Sequence, residues 1–256
     1  MKIPFEKYQG TGNDFIIIDN RAQVFPEDVS AIQKLTDRRL GIGADGLILI
    51  ENHPTLDFRM KYFNADGSES LCGNGSRCAI MFAQTLGIIH QETTFVTTDG
   101  IHNARINGNQ VDFKLHNLSE INLLDGDYFI NNGSPHYIRF VSDTSDVNIY
   151  EEGKKIRYSP RYQPHGTNVN FVQIKSDFEI SVRTYERGIE GETLSCGTGV
   201  TASAIASSFK GLTPPIKIQT LGGNLSVNFE KKGDDTFQNI FLSGPATLVY
   251  EGQIEI

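Results

Sequence analysis

The chain has 256 residues, which is enough for one large domain or two ordinary ones. A hydrophobic content of 38% and a charged content of 21% are typical of a soluble globular protein, and no apolar run approaches the roughly 20 residues of a membrane span. The formal net charge of −8 argues against a nucleic-acid groove as the main binding site.

Three cysteines form an odd and sparse set, which argues against a disulfide framework. The first residues contain no signal-peptide core, so we expect the protein in the cytoplasm. Thiols stay reduced there, and they can act as bases, nucleophiles or metal ligands.

The first part of the chain predicts a strand, a helix, two further strands, a longer helix and three short strands. The first helix is expected to begin at Pro26 and to include Arg38 in its last turn, an order that suits the helix dipole. The longer helix follows Cys72 and ends near Gly87. The strands are expected at 15–19, 47–50, 58–63, 94–97, 101–106 and 111–115.

Near residue 118 the same order begins again. A short helix is expected at 154–162, and a second longer helix follows Cys196. The strands are expected at 137–141, 169–174, 180–186, 216–219, 225–229 and 240–243.

One motif occurs twice, at 70–78 and at 194–200. In each copy a cysteine precedes Gly-x-Gly and then a run without a polar face, which is typical of a buried helix. Each cysteine, Cys72 and Cys196, should therefore lie just before a helix start. Backbone N–H groups there favour anions and increase the thiolate fraction of a thiol.

Other residues recur at nearly constant distances before these cysteines, which a duplicated domain explains better than chance. The matched pairs are Asn13 with His136, Gly46 with Asn168, Asn64 with Glu186, and Cys72 with Cys196.

We expect an α/β (α+β) fold of two pseudo-symmetric domains, each a curved mixed β-sheet or barrel around one central helix. The first domain should span residues 1–117 and the second residues 118–244. A C-terminal strand at about 245–256 should return to the first domain. Facing copies would bring both helix N-termini and both thiols to one active-site cleft.

Several roles for the cysteines are open. Cys78 lies inside the apolar helix without a counterpart in the repeat, so we interpret it as a buried structural thiol. A zinc site is disfavoured because the paired ligand spacings are missing, and no Cys-x-x-Cys motif indicates a redox disulfide. A Cys–His nucleophile using His136 would leave the second thiol idle. Two equivalent thiols best serve opposite faces of one carbon, where a thiolate removes a proton and a thiol returns one, with no organic cofactor.

The joint pattern of motifs resembles the diaminopimelate epimerase family over almost the whole chain. These motifs lie at 10–15, 41–46, 63–68, 72–78, 185–188 and 191–199. The resemblance implies a cofactor-independent isomerase that interconverts LL- and meso-2,6-diaminopimelate, in lysine and peptidoglycan precursor biosynthesis. It also implies a homodimer whose partner is a small-molecule amino-acid substrate. From the ligand spacings, the net charge and the lengths of the apolar runs we expect no metal, nucleic-acid or membrane partner.

The same resemblance assigns roles to individual residues. Cys72 and Cys196 match the acid/base cysteines, and His136 and Glu186 match the polar pair beside them, which helps proton handling and orients the ammonium group. Residues that match the holders of the reacting carboxylate are Gly73, Asn74, Gly197 and Thr198. Side chains that match those gripping the substrate, largely at its distal end, are Asn13, Asn64, Asn168 and Arg187.

Two positions depart from the family pattern: Gly46 stands where Gln is frequent, and Ser134 stands where Asn is frequent. Two rival functions also remain. One is another two-cysteine racemase, such as a proline-racemase-like enzyme, although Arg187 favours a substrate with a second polar end. The other is a non-catalytic binding protein on the same fold, which would be expected to have lost a cysteine.

Overall fold

The computed structural model describes residues 2–255, and the chain divides into two compact units. The first unit contains the described residues up to Phe113 and those from Gly244 onward. The second unit is Lys114–Ser243.

The first unit contains two helices, α1 (Val29–Thr36) and α2 (Gly73–Thr85). Its strands are β1 (Lys2–Gly10), β2 (Asn13–Asp19), β3 (Gly46–Glu51), β4 (Phe58–Asn64), β5 (Glu92–Thr97), β6 (Gly100–Asn107), β7 (Gln110–Lys114) and, from the end of the chain, β17 (Thr247–Glu255).

The second unit also contains two helices, α3 (Ile149–Arg157) and α4 (Gly197–Ser208), and two short 3-10 turns at Thr144–Asp146 and Pro160–Tyr162. Its strands are β8 (Ile121–Leu124), β9 (Asp127–Asn131), β10 (Pro135–Phe140), β11 (Asn168–Ser176), β12 (Glu179–Glu186), β13 (Gly191–Thr193), β14 (Ile216–Thr220), β15 (Gly223–Lys231) and β16 (Phe237–Pro245). The last residue of β7, Lys114, belongs to the second unit, and the last two residues of β16, Gly244 and Pro245, belong to the first.

Both units pair their strands in the same order. The first unit follows β17–β1–β2–β3–β4–β5–β6–β7, in which only β2–β3 and β4–β5 are parallel. The second follows β8–β9–β10–β11–β12–β14–β15–β16, in which only β10–β11 and β12–β14 are parallel. The short β13 is added against β12. A mixed α/β fold with an internal duplication is thereby confirmed.

Strand register corrects one match made from spacing. Phe15 lies opposite Gly46 in the first unit, and His136 lies opposite Asn168 in the second. The counterpart of His136 is therefore Phe15, and the match with Asn13 is wrong by two positions, because sequence spacing cannot resolve where the pairing of two strands begins. The match of Gly46 with Asn168 agrees with the register.

Each longer helix is buried on nearly all sides, as its sequence predicts. Helix α2 packs against β1, β2, β3 and β4, and α4 packs against β9, β10, β11, β12, β14 and β15. Small residues in α4 allow this close approach, since ten of its twelve residues are buried. No helix within residues 2–255 has both the length and the apolar character needed to span a membrane.

The first helix is shorter than predicted. It begins at Val29 because Asp28 is its N-cap, accepting a hydrogen bond from the Ala31 N–H at 3.2 Å. It ends at Thr36, and Arg38 lies outside it, where it pairs with Asp14. Helix α3 begins at 149 and ends at 157, so the prediction of 154–162 placed it too late in the chain.

Four strands were not predicted from the sequence. The short strands β8, β9 and β13 carry little alternation, and β1 hides its alternation because it buries Lys7 as well as Tyr8. The C-terminal strand expected at about 245–256 is β17, which exposes most of its side chains and pairs with β1 of the first unit.

A charge network ties the β1–β2 hairpin to the loop before β3. Asp14 pairs with Lys7 at 2.8 Å and with Arg38 at 2.6 Å, and Arg38 also pairs with Asp45 at 2.6 Å. Burial raises the pKa of Asp14, but hydrogen bonds and charges from Arg38 and Lys7 outweigh it and lower the pKa to about 2.

This network predicts an acid-dependent loss of stability. Because the folded pKa of Asp14 is below the ordinary Asp value of about 4, its contribution is complete above pH ~4 and is lost as the pH falls towards 2. Asp14→Asn should lower the melting temperature at pH 7 and flatten the decline between pH 4 and 2. Thermal unfolding across that range is the measurement, with exposed Asp234→Asn as the control. An equal decline in Asp14→Asn and wild type would contradict the assignment.

The packing of α3 gives a second prediction. A Cβ at Gly153 would lie 2.4 Å from Tyr185 Cβ and 2.6 Å from Tyr185 Cγ. Gly→Ala in a helix normally gains about 1 kcal/mol, whereas overpacking costs about 1–3 kcal/mol. Gly153→Ala should therefore lower the free energy of unfolding in urea. Gly233→Ala, with no described atom within 4 Å of its Cβ, should leave it nearly unchanged. A stabilised Gly153→Ala would show that the helix can move.

Candidate active-site residues

Cys72 is the N-cap of α2, with φ −130° and ψ 112°. Its Sγ accepts a hydrogen bond from the Gly75 N–H at 3.4 Å, and its carbonyl accepts one from Ser76 Oγ at 3.0 Å. The sulfur therefore lies among the amide groups of the first helical turn, where negative charge is stabilised.

Cys196 is the N-cap of α4 with nearly the same backbone angles, φ −118° and ψ 110°. Its Sγ lies 3.6 Å from Thr198 Oγ1, and Thr201 Oγ1 donates to the Gly197 carbonyl at 2.9 Å. The prediction that each cysteine directly precedes a buried helix is confirmed.

The second glycine of each Gly-x-Gly is required by packing. A Cβ at Gly199 would lie 2.5 Å from Asn170 Oδ1, and a Cβ at Gly75 would lie 3.2 Å from Ile48 Cδ1. The sheet approaches each helix start so closely that only glycine fits without movement.

Asn13 and Asn74 contact each other in the first unit. Asn74 Nδ2 donates to Asn13 Oδ1 at 2.8 Å, and Asn13 Nδ2 donates to Asp45 Oδ2 at 2.5 Å. These contacts fix Asn13 beside the first turn of α2, the helix that begins directly after Cys72.

Asn64 organises the loop that leads to Cys72. Its Nδ2 donates to the Ser68 carbonyl at 3.1 Å and to Ser70 Oγ at 3.0 Å. These contacts give Asn64 a structural role in holding the loop between β4 and α2.

Asn168 links two strands and a loop in the second unit. Its Nδ2 donates to Ser134 Oγ at 2.9 Å and to the Pro135 carbonyl at 3.0 Å, and its Oδ1 accepts from the Arg187 N–H at 2.9 Å. The serine at the position where the family frequently has Asn is therefore an acceptor for Asn168.

Arg187 and Glu186 follow one another at the end of β12. Glu186 Oε2 accepts from Thr193 Oγ1 at 2.7 Å, and Arg187 Nη1 donates to the His165 carbonyl at 3.3 Å. Among the described residues no carboxylate forms an ion pair with Arg187, so its guanidinium retains capacity for an anionic ligand.

The start of α4 is held by a residue that the sequence analysis missed. Asn132 Nδ2 donates to the Thr198 carbonyl at 2.9 Å. Asn132 lies just after β9, and an unremarkable Asn in a turn gives no sequence signal for this contact.

His136 is fully buried at the start of β10. Burial, and then the positive charge of Arg187, lowers the pKa of His136 to about 3, so the imidazole is neutral at pH 7. Asn170, which contacts the imidazole at 3.2 Å, and Thr184, which donates to Asn170 at 2.9 Å, were also missed. Their signal was available, because Asn168 and Asn170 alternate on one strand and share a face.

Cys78 is fully buried within α2, and burial raises the pKa of its thiol, as expected for a structural cysteine. Its neighbour Arg77 is also fully buried, and burial lowers the pKa of this guanidinium. Arg77 donates to Thr11 Oγ1 at 3.1 Å and to the Pro245 carbonyl at 3.4 Å. The motif contained Arg77, but its apolar surroundings gave no indication of this role in joining α2 to its sheet.

Neighbouring atoms fill the space beside Gly46 and leave no room for a side chain. A Cβ there would lie 2.4 Å from Tyr62 Cε2 and 2.5 Å from the Phe63 carbonyl. The Gln that is frequent in the family would have to displace Tyr62. The glycine at position 46 therefore suits the tyrosine ring that lies beside it.

The family comparison agrees with these features. The family model for diaminopimelate epimerase matches residues 5–115 and 128–249. A diaminopimelate epimerase of Flavobacterium psychrophilum is 52% identical over 253 residues, covering 97% of this chain and 98% of the relative. That of Aquifex aeolicus is 42% identical over 276 residues, covering 98% and 97%.

Solved structures share the fold at low identity. A PhzF-family phenazine biosynthesis protein of Bacillus anthracis has a TM-score of 0.77 at 15% identity, covering all of both chains. A hydroxyproline epimerase of Agrobacterium vitis, with bound trans-4-hydroxy-L-proline, has a TM-score of 0.70 at 13% identity, covering 99% of this chain and 92% of that one. The structures establish the fold alone, whereas the sequence matches establish that this chain belongs to the diaminopimelate epimerase family.

Proposed function

We propose that this protein interconverts LL-2,6-diaminopimelate and meso-2,6-diaminopimelate by moving a proton at one α-carbon between two cysteines. The observation that carries the proposal is the placement of Cys72 and Cys196 at matched helix N-termini, in a chain that belongs to this family along nearly its whole length.

The reaction balances within the enzyme and substrate. One cysteine thiolate removes the α-proton, so the C–H bond breaks and its electron pair is delocalised into the adjacent carboxylate. The other thiol then delivers its proton to the opposite face, forming the new C–H bond and leaving a thiolate. The negative charge thus passes from one sulfur to the other, and the reverse reaction exchanges their roles.

The helix N-termini supply the anion stabilisation that this step needs. Amide groups at Gly73, Asn74, Gly197 and Thr198 hold the reacting carboxylate, where negative charge grows as the proton leaves. Support comes from the fixed backbone at these positions, since Asn74 is held by Asn13 and the Thr198 carbonyl by Asn132.

The distal amino-acid end of the substrate is held away from the reacting carbon. Arg187 binds the distal carboxylate through its guanidinium, which no described carboxylate occupies, and Asn13, Asn64 and Asn168 complete the binding set. Glu186 orients the ammonium group. A proline-like substrate lacks this second polar end, which places the racemase alternative behind this one.

The duplication supports a reaction in which both domains take part. We propose domains at 1–117 with 245–256 and at 118–244, and an active site to which each contributes one cysteine. By resemblance to the family, we also propose a cytoplasmic homodimer that acts in lysine and peptidoglycan precursor synthesis.

The cysteines give the first functional prediction. Cys72→Ala and Cys196→Ala should each lower kcat by about 100- to 10,000-fold, the usual contribution of a general acid or base. Cys78→Ala is the matched control, because that thiol packs inside α2, and it should keep turnover while losing some stability. Turnover is measured from LL-diaminopimelate. Near-wild-type turnover in either of the first two variants would exclude the two-thiol mechanism.

Deuterium incorporation separates the proposed function from its rivals. In deuterated water the wild-type enzyme should label the α-carbon of diaminopimelate and leave L-proline unlabelled. Labelling of proline alone would favour the racemase, and labelling of neither with retained ligand binding would favour a binding protein.

Arg187 gives the second functional prediction. Lys cannot reproduce the two parallel hydrogen bonds of a guanidinium on a carboxylate, so Arg187→Lys should reduce kcat/KM for diaminopimelate about 10- to 100-fold. Remote binding energy also positions the reacting end, so kcat should fall along with affinity. Arg161→Lys, in an exposed ion pair with Asp125, is the control. Unchanged kinetics in Arg187→Lys would remove the distal clamp from the proposal.

A further inference from the structure

We propose that Asn170 is a positioning residue that holds His136 as a neutral imidazole with its proton on Nε2, so that His136 donates a hydrogen bond to an anion at the site. The identity of that anion as a diaminopimelate carboxylate or a cysteine thiolate rests on the proposed function. The tautomer itself does not.

The orientation of the Asn170 amide follows from its neighbours. Its Nδ2 lies 3.1 Å from the Tyr137 carbonyl, which can only accept, and its Oδ1 lies 2.9 Å from Thr184 Oγ1. The opposite orientation would place two carbonyl oxygens against each other, so the amide NH2 faces Tyr137.

The same NH2 group sets the tautomer of His136. It lies 3.2 Å from His136 Nδ1, and with both of its hydrogens donated it cannot accept a proton from the ring. Nδ1 is therefore the unprotonated acceptor, and a neutral imidazole must carry its hydrogen on Nε2.

Nε2 is buried and has no hydrogen-bond partner among the residues that the structure describes. A buried N–H without an acceptor is costly, and native structures rarely keep one without a reason. Asn168, the strand partner of His136, accepts a hydrogen bond from the Arg187 N–H at 2.9 Å, so Arg187 follows the strand end beside His136, and its charge lowers the pKa of the imidazole. A neutral N–H donor and a guanidinium near each other favour an anionic acceptor.

The duplication provides an internal comparison. At the positions matched by register, the first unit has Phe15 for His136, Ile48 for Asn170 and Tyr62 for Thr184. Ile48 and Phe15 pack under Gly75 there, just as Asn170 packs under Gly199 in the second unit.

The same chain therefore fills the position of Asn170 with an apolar side chain, Ile48, in its first unit. A buried polar trio costs free energy unless every member is hydrogen-bonded, whereas Phe15 and Ile48, at the positions of His136 and Asn170, carry no such cost. The second unit has the polar trio of His136, Asn170 and Thr184. Within it, the Nε2–H of His136 has no hydrogen-bond acceptor among the described residues. The simplest physical reason to keep the trio is the donor that it presents.

This tautomer limits what His136 can do during the reaction. With its Nδ1 occupied by Asn170 and its Nε2 carrying a proton, it cannot accept a proton during the reaction. It acts as a hydrogen-bond donor, and the acid/base work stays with the cysteines.

The tautomer can be read directly by NMR. Two-bond 1H–15N spectra of the histidine-labelled protein, compared with His136→Gln for assignment, should show His136 with unprotonated Nδ1 and protonated Nε2 throughout pH 6–8. Adding diaminopimelate should shift the Nε2–H resonance. The same shift in a Cys72→Ser/Cys196→Ser variant assigns the acceptor to a substrate carboxylate, and its loss there assigns it to a thiolate.

Two variants test the role of Asn170. Asn170→Asp keeps the shape but replaces the donor by an acceptor, so His136 should gain a proton on Nδ1, and kcat should fall about 10- to 100-fold, as for one charge-assisted hydrogen bond. Thr184→Val removes the group that anchors Oδ1 and should give a smaller loss of kcat with the Nε2–H tautomer partly retained. Asn228→Asp, exposed on β15, is the matched control and should change neither.

A wild-type spectrum with Nδ1 protonated would overturn the proposal. So would Asn170→Asp with wild-type kcat and an unchanged tautomer. If Asn170→Asp does not fold, the wild-type spectrum and Thr184→Val still decide the question. If diaminopimelate is not turned over at all while the tautomer is as stated, the proposed function fails and the assignment of the tautomer stands.

Discussion

The structure depends on placing a thiol at the N-terminus of a largely buried helix, and it does so twice. The first amide groups of a helix have no partner within the helix, so they need one from elsewhere in the protein, from a ligand or from water. Near Cys72 and Cys196 the sheet approaches each helix closely, so a Cβ at Gly199 would displace Asn170 and a Cβ at Gly75 would press on Ile48. The sheet, the glycines and the helices together fix where each sulfur lies.

The duplication gives both units the same strand order, but the side chains around the two cysteine–helix motifs differ. In the first unit, apolar side chains lie beneath the helix start, and buried Arg77 ties that helix to its sheet. In the second unit, His136 and Asn170 occupy the corresponding level, and Thr201 stands five residues after its cysteine where the first unit has Arg77. The two units therefore surround their matched cysteines with different side chains.

Several residues that we propose for substrate binding also hold each other. Asn13 is held between Asp45 and Asn74, and Asn168 holds the backbone of Arg187. Such contacts restrict side-chain rotation before a ligand binds, which lowers the entropy lost on binding. Mutation of Asn13 would therefore also disturb Asn74 in the first turn of α2, and mutation of Asn168 would disturb the backbone at Arg187.

The sequence by itself determined the duplication, the two cysteine–helix motifs, most strands and the family, because glycine punctuation, apolar runs and repeated order are local properties. Only the tertiary structure decided that His136 corresponds to Phe15, that Asp28 starts the first helix, and that Gly46 is filled by Tyr62. It also revealed Asn132, Asn170 and Thr184. These features depend on strand register and on contacts between residues far apart in the chain, and the spacing of residues along a sequence does not encode which atoms meet.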